Sequence, residues 1–312
     1  MNKVIVITGP TASGKTSLSL ALANAVQGEI VSADSMQIYR GMDIGTAKAS
    51  PEEQAQVKHH MIDIISPNED YSVAKFVNDA SLCCENIISR GKIPIITGGT
   101  GLYVDSLICG REFGENDSSL KLRKILNEKY ESLGGAQMLK ELALFDPERA
   151  SILHAADKKR IIRAFEVYYL SGETITAHDI KTKKIPPKYD SLYFITGFNS
   201  RDTLYTKINN RVDQMISSGL INEVKALLSS DLSSSCTAMQ AIGYKEIVSY
   251  LNGEISLDNA IALIKQSSRK YAKRQMTWFN RKQNAVRLNW DNFNPETLGV
   301  SFAVSKAKEF LA

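Results

Sequence analysis

Cysteine is scarce: four residues (Cys83, Cys84, Cys109 and Cys236) in a chain of 312, with no CxxC pair and no zinc spacing among them. That pattern excludes a disulfide framework and fits free thiols in a reducing cytosol, so a cytoplasmic location is expected. No apolar run approaches the ~20 residues that cross a bilayer, which removes a membrane role. Val4-Ile5-Val6-Ile7 after Met1-Asn2-Lys3 is too short for a secretory signal, and Gly9-Pro10 interrupts it. An excess of one charge is missing too. Thirty-eight Lys and Arg against 34 Asp and Glu leave +4, too mild to announce a nucleic-acid binder and too mixed for disorder. Internal repeats and low-complexity tracts are absent.

What is present is an ordinary globular composition, 43% apolar, in a length that suits one large domain or two smaller ones. The first hundred residues alternate strand and helix patterns. Val4–Ile7 is a continuous β-rich run, as in a strand covered on both faces. Leu18, Leu22 and Val26 then share a helical face. Glu29–Ala33 and Ile93–Ile96 read as further strands, with a helix between them that Ser72 would cap and Gly91 would end. This rhythm predicts a parallel sheet with flanking helices. From about Glu115 helical patterns dominate through Leu170. Thr176–Lys188 is polar, Lys-rich and carries Pro186-Pro187, which predicts a loop or hinge. Leu192–Thr196 returns as a strand, and helices follow: one with Leu204, Ile208, Val212 and Met215 on a face, another from about Ser256 to Phe279.

Gly9-Pro10-Thr11-Ala12-Ser13-Gly14-Lys15-Thr16 fits GxxxxGK[ST] between a buried strand and a helix, where such a loop must sit. Its glycines let successive N–H groups turn inward on phosphate oxygens, and the helix N-terminus adds partial positive charge. Lys15 supplies a cation, and the Thr16 hydroxyl is the candidate Mg²⁺ ligand. This nucleotide-binding motif alone is compatible with a kinase or an ATPase. Asp34, at the C-terminal end of the second strand, lies on the edge where ligands bind in such sheets. From the residues alone it is a metal assistant, a general base or a turn-capping Asp. His59-His60 lacks metal-ligand partners at useful spacing, and a structural role is expected for the pair.

These segments, with SADSMQIYRGMDIGTAK at 32–48, HHMIDI at 59–64, GGTGLY at 98–103, DKKRIIRAFEVY at 157–168, NRVDQMISSGLINEV at 210–224, MQAIGYKE at 239–246 and YAKRQMTWFNR at 271–281, resemble the bacterial tRNA dimethylallyltransferases. The resemblance runs in unbroken order from residue 3 to about 290. It implies a P-loop NTPase-like α/β core, formed by residues 1–114 and 191–312, with an all-helical insertion at 115–190 that contacts tRNA. It implies transfer of a dimethylallyl group from dimethylallyl diphosphate to N6 of adenosine 37, in tRNAs reading codons that begin with U. Residues 9–16 would then hold the diphosphate of the prenyl donor, with Mg²⁺ sharing its charge. Asp34 matches the family's catalytic base, Thr100 a position beside the reacting amine, and Arg211 its diphosphate-binding arginine. Ser35, Met36 and Gln37 match a tRNA-contacting segment together with Asp34 and Thr100. Lys158, Lys159, Arg160, Ile161 and Ile162 match another, and Arg123 a further contact.

One segment offers independent support for RNA. Residues 265–287 hold eight cations (Lys265, Arg269, Lys270, Lys273, Arg274, Arg281, Lys282 and Arg287) and no acid. Their +8 leaves the rest of the chain at −4 against the +4 total. Tyr271, Trp278 and Phe279 are interleaved, and helix spacing favours a core role for them. Cations meet phosphates. The expected partners are therefore the anticodon stem-loop of tRNA and dimethylallyl diphosphate, with the chain acting as a monomer. The rivals are a small-molecule kinase using ATP, an AMP isopentenyltransferase and a non-catalytic RNA-binding protein.

Overall fold

The computed structural model describes residues 1–110, 117–183, 185–229, 232–233, 236–294 and 296–312. The chain divides into two compact units, Met1–Gly110 with Lys188–Ala312, and Arg111–Pro187. The expected boundary near Glu115 lies outside the described residues.

In the first unit, six strands form one sheet in the order β3-β2-β4-β1-β5-β6. They are β1 (Lys3–Thr8), β2 (Gly28–Ser32), β3 (His59–His60), β4 (Ile93–Gly98), β5 (Asp190–Gly197) and β6 (Val286–Asn289). Every pairing is parallel. Helices pack on both faces, so Val4 to Ile7 are fully buried, as the unbroken apolar run predicts. The helices Lys15–Val26, Val73–Ser89, Arg201–Ser217 and Leu257–Phe279 match the patterns read from their apolar faces. Ser72 and Ser256 cap two of them by accepting from the Lys75 and Asn259 amides. The edge strands β3 and β6 escape a reading by pattern. β3 is only two residues long, and β6 begins within the basic stretch 265–287.

The second unit packs Leu126, Met138, Leu142, Ile161, Ile162, Ala164 and Phe165 into its own core. Its long helix Asp117–Ala143 is kinked at Gly134, which has φ 75 and ψ 158. The loop predicted over Thr176–Lys188 is wrong for its first half, because Ile175–Lys183 is a helix. Tertiary partners override the polar composition. Asp146 accepts from both the Thr176 amide (3.1 Å) and its hydroxyl (2.6 Å), and Arg149 pairs with Asp179 on the next turn.

Candidate active site

Parallel strands put their C-terminal ends on one edge, and three of them deliver the candidate residues. Thr8 pairs with Gly98 and Ser32 with Thr97, so Gly9, Asp34 and Thr100 emerge from neighbouring strands about 4.8 Å apart. The loops are stitched together there: the Ala33 amide donates to Thr97 O (2.7 Å), and the Thr100 amide to Ala33 O (3.3 Å).

The phosphate loop is shaped by its own chain. Gly9 (φ 147), Ala12 (φ 61) and Gly14 (φ 76) are left-handed, and alternation of handedness makes the concave row of amides that binds anions. Ser13 Oγ donates to Pro10 O (2.7 Å) and bonds Thr196 Oγ1 (2.6 Å), while Trp290 Nε1 donates to Ser13 O (2.8 Å). Lys15 Nζ donates to Gly9 O (3.1 Å) and Pro10 O (2.7 Å), folded over the loop it would serve.

Charge around that lysine is unbalanced. Burial, and then the nearby Arg211 guanidinium, push the Lys15 ammonium down to about 7, while Asp34 pulls the other way. Burial also lowers Arg211, again against Asp34. Two cations and one carboxylate thus share a desolvated site, where a further anion is strongly favoured. Among the described residues Arg211 donates only one long bond, 3.5 Å to Thr46 O, leaving most of its donors for a ligand. Asp34 Oδ1 accepts from the Met36 amide (2.9 Å), and its carboxylate lines a cavity of about 290 Å³ with Thr11, Arg211, Tyr271 and Arg274. Thr100 Oγ1 accepts from the Ser35 amide (3.1 Å) beside it. Arg211 also borders a second cavity, of about 620 Å³, with Lys48, Asp43 and Asp63. There the lysine is already neutralised by both aspartates, at 2.6 and 2.5 Å.

Several residues of this site lie in segments that carry the family resemblance but receive no individual role from the sequence. Gln275 and Tyr271 come from the helix Leu257–Phe279. Glu223 accepts from the Asp43, Ile44 and Gly45 amides (3.0, 2.7 and 3.1 Å) and from Tyr244 Oη (2.6 Å), holding the loop that presents Thr46 to Arg211. For Gln275 and Tyr244, a facing glycine marks the contact. A Cβ on Gly99 would meet Gln275 Nε2 at 2.1 Å, and one on Gly45 would meet the Tyr244 ring at 2.4 Å.

For Mg²⁺, the chemistry of the donors can be tested. Thr16 is exposed at the first turn of its helix, and its hydroxyl takes no partner among the described residues. No cluster of three or more His, Cys, Asp or Glu exists among those residues. One hydroxyl with few carboxylates suits Mg²⁺, which keeps water and substrate phosphate oxygens as ligands. His60 Nε2 instead meets Glu29 (2.7 Å), and His59 Nδ1 meets Val57 O (2.8 Å).

Of the candidate RNA contacts, Lys159 and Arg160 are exposed and unpaired among the described residues, whereas Lys158 is held by Glu131 (2.6 Å). Three consecutive cations in a first turn without acids oppose the helix dipole. Ile161 and Ile162 need correction: at 0% and 4% exposure they belong to the core of the helical unit and have no side-chain surface for RNA. Arg123 is gripped by the buried Glu166 through two nitrogens. The Gln37 amide is spent inside the chain, accepting from Ser32 Oγ (2.9 Å) and donating to Thr46 O and Ala47 O (3.3 Å each). Met36 packs partly buried against the core. In the basic stretch, Asp213 neutralises Lys265 and Asp105 neutralises Lys282, while Lys270, Lys273 and Arg281 stay exposed and unpaired among the described residues. Phe279 is core, Tyr271 is largely enclosed, and Trp278 keeps 36% exposure.

Comparison with known proteins draws these features together. A family model described as IPP transferase matches residues 37–282, and one described as Isopentenyl transferase matches residues 2–67. The tRNA dimethylallyltransferase of Acetivibrio thermocellus is 45% identical over 297 residues, covering 95% of this chain and 94% of its own. That of Staphylococcus haemolyticus is 45% identical over 307 residues, covering 97% and 90%. The crystal structure of a tRNA delta(2)-isopentenylpyrophosphate transferase from Staphylococcus epidermidis superposes with a TM-score of 0.71 at 41% identity, over 99% of this chain and all of that one. A eukaryotic dimethylallyltransferase acting on tRNA gives 0.78 at 30% identity, over 93% and 76%.

Proposed function

The chain belongs to the IPP transferase family, and from that premise we propose that it transfers the dimethylallyl group of dimethylallyl diphosphate to N6 of adenosine 37 in tRNAs reading codons that begin with U. The observation that carries the reading is the grouping of Lys15, Arg211 and Asp34 at one sheet edge beside the phosphate loop. Two desolvated cations ask for a polyanion, and a carboxylate beside them offers a proton acceptor. A kinase could use both features, its carboxylate taking a hydroxyl proton, so the similarity to tRNA dimethylallyltransferases is what favours an amine acceptor and a prenyl donor.

On this reading the loop amides of residues 12–16, Lys15 and Arg211 bind the diphosphate. Breaking the C1–O bond sends its electron pair to that leaving group and leaves an allylic cation. Stabilising the developing charge is therefore the main demand, and fixed donors in a dry site meet it best. Mg²⁺, held by the Thr16 hydroxyl and phosphate oxygens, would supply further neutralisation when bound. N6 of an adenine is a weak nucleophile. Asp34 accepts its hydrogen bond, orients it toward C1 and takes the proton as the N–C bond forms. Thr100 and Ser35 hold the loop beside it. The base must leave the anticodon-loop stack to reach the cavity, which costs a few kcal/mol. Lys159, Arg160, Lys270, Lys273 and Arg281 are the cations available to RNA phosphates, and the helical unit 111–187 supplies the first two. The chain acts as a cytoplasmic monomer.

Incubation with labelled dimethylallyl diphosphate and unmodified tRNA, followed by mapping of the labelled nucleotide, tests the reading. Label at adenosine 37 is expected. Transfer to free AMP in place of tRNA, or ATP-dependent phosphorylation with no prenyl transfer, would overturn it.

A further inference from the structure

Gln275 is 5% exposed, and its amide is spent on two loops that reach it from different strands. Its Oε1 accepts from the Thr11 amide at 2.9 Å, and its Nε2 donates to Gly99 O at 3.0 Å. Thr11 follows β1 within the phosphate loop, while Gly99 follows β4 and precedes Thr100. A side chain on Gly99 would collide with Nε2, so the glycine is what admits this tie. One turn earlier on the same helix, Tyr271 lines the cavity beside Asp34, and burial pushes its hydroxyl up to about 12. Thr100 accepts from the Ser35 amide next to Asp34. Hydrogen bonds and the Gly99–Thr100 peptide link therefore join a phosphate-loop amide to the neighbour of the candidate base.

The phosphate loop would hold the leaving group, and the Gly98–Thr100 loop would border the incoming amine. Resting on the transfer reaction proposed above, we infer that Gln275 is a positioning residue that sets the distance between the two. The distance matters because an allylic cation is captured by whichever nucleophile stands nearest. With the tie intact, N6 is that nucleophile. Without it, the two loops move independently and water enters the gap. The C1–O bond to diphosphate then breaks with its pair on the leaving oxygen. Water forms a new bond to C1 and releases a proton to solvent, giving dimethylallyl alcohol and diphosphate in place of prenylated tRNA.

The experiment compares the ratio of alcohol to prenylated tRNA made from labelled dimethylallyl diphosphate and unmodified tRNA. Gln275→Met conserves volume and removes both bonds. Gln275→Glu keeps the acceptor toward Thr11 and loses the donor toward Gly99. Because the ratio is taken within one sample, it does not depend on how much of a variant folds. The parent is expected to favour transfer, the Met variant to raise the ratio about tenfold or more, and the Glu variant to fall between them. An unchanged ratio in both variants, with the two products declining together, would overturn the assignment and leave Gln275 a packing residue. Failure of the parent itself to prenylate tRNA would instead refute the underlying reaction.

Discussion

Replacing Asp34 by Asn is the most informative single change at this site. The Asn Oδ1 can still accept from the Met36 amide, as Asp34 does at 2.9 Å, so the turn after β2 keeps its geometry. What disappears is one negative charge and the capacity to take a proton. A positioned general base contributes about 10²–10⁴ in rate, or about 3–5 kcal/mol in the barrier, and this is the expected loss in the transfer step. Diphosphate binding should respond far less, because two effects oppose. Losing Asp34 removes its pull on Lys15, which drops the ammonium below its value of about 7 and weakens binding above that pH. It also removes an anion that repels the ligand. Because the two effects have opposite sign, the net change should stay within about tenfold. Single-turnover transfer of labelled donor to tRNA reads the first quantity, and calorimetric titration with inorganic diphosphate reads the second. Turnover within tenfold of the parent would refute the base role. Loss of diphosphate binding by a hundredfold would reassign Asp34 to shaping the phosphate site.

Three further outcomes follow from the same geometry. Lys15 sits near 7 in the free protein, and a bound diphosphate raises it, so binding above pH 7 takes up a proton; affinity should be greatest below 7 and fall by up to about tenfold per pH unit above it, and a flat titration between pH 6 and 9 would contradict this. Binding of tRNA should weaken steeply with salt, and Lys159→Ala or Arg160→Ala should each reduce the logarithmic slope by about one, with Lys158→Ala doing less because Glu131 already holds it. Glu29, 2% exposed at the start of β2, is held well below the usual carboxylate range by Arg90, with Lys92 and His60 assisting. Its stabilisation is present above the unfolded value of ~4.3 and is lost as pH falls, so Glu29→Gln should cost about 2–3 kcal/mol at neutral pH and progressively less in acid, measured by denaturant titration.

Much of the framework can be read from residue order because its causes are local. Val4 to Ile7 must be covered on both faces, and GPTASGKT has few ways to pass from strand to helix. Ser72 and Ser256 announce helix starts by the amides they cap. Once strands are parallel, Gly9, Asp34 and Thr100 have to share an edge, so that part of the candidate site is legible in advance.

What order along the chain leaves open is decided by partners distant in sequence. Ile161 and Ile162 share a segment with exposed cations, and only packing shows that they face the core. The run of eight cations looks uniform until Asp213 and Asp105, from other elements, neutralise two of them. Thr176–Lys183 is polar enough for a loop, yet Asp146 caps it into a helix. Gln275 meets Thr11 and Gly99 because a late helix packs across the mouths of two early strands, a proximity with no local signature. Backbone conformation and burial periodicity are short-range and survive in the order of residues. The charge balance at Lys15 and Arg211, and the tie through Gln275, are long-range and arise only once the sheet has gathered its loops.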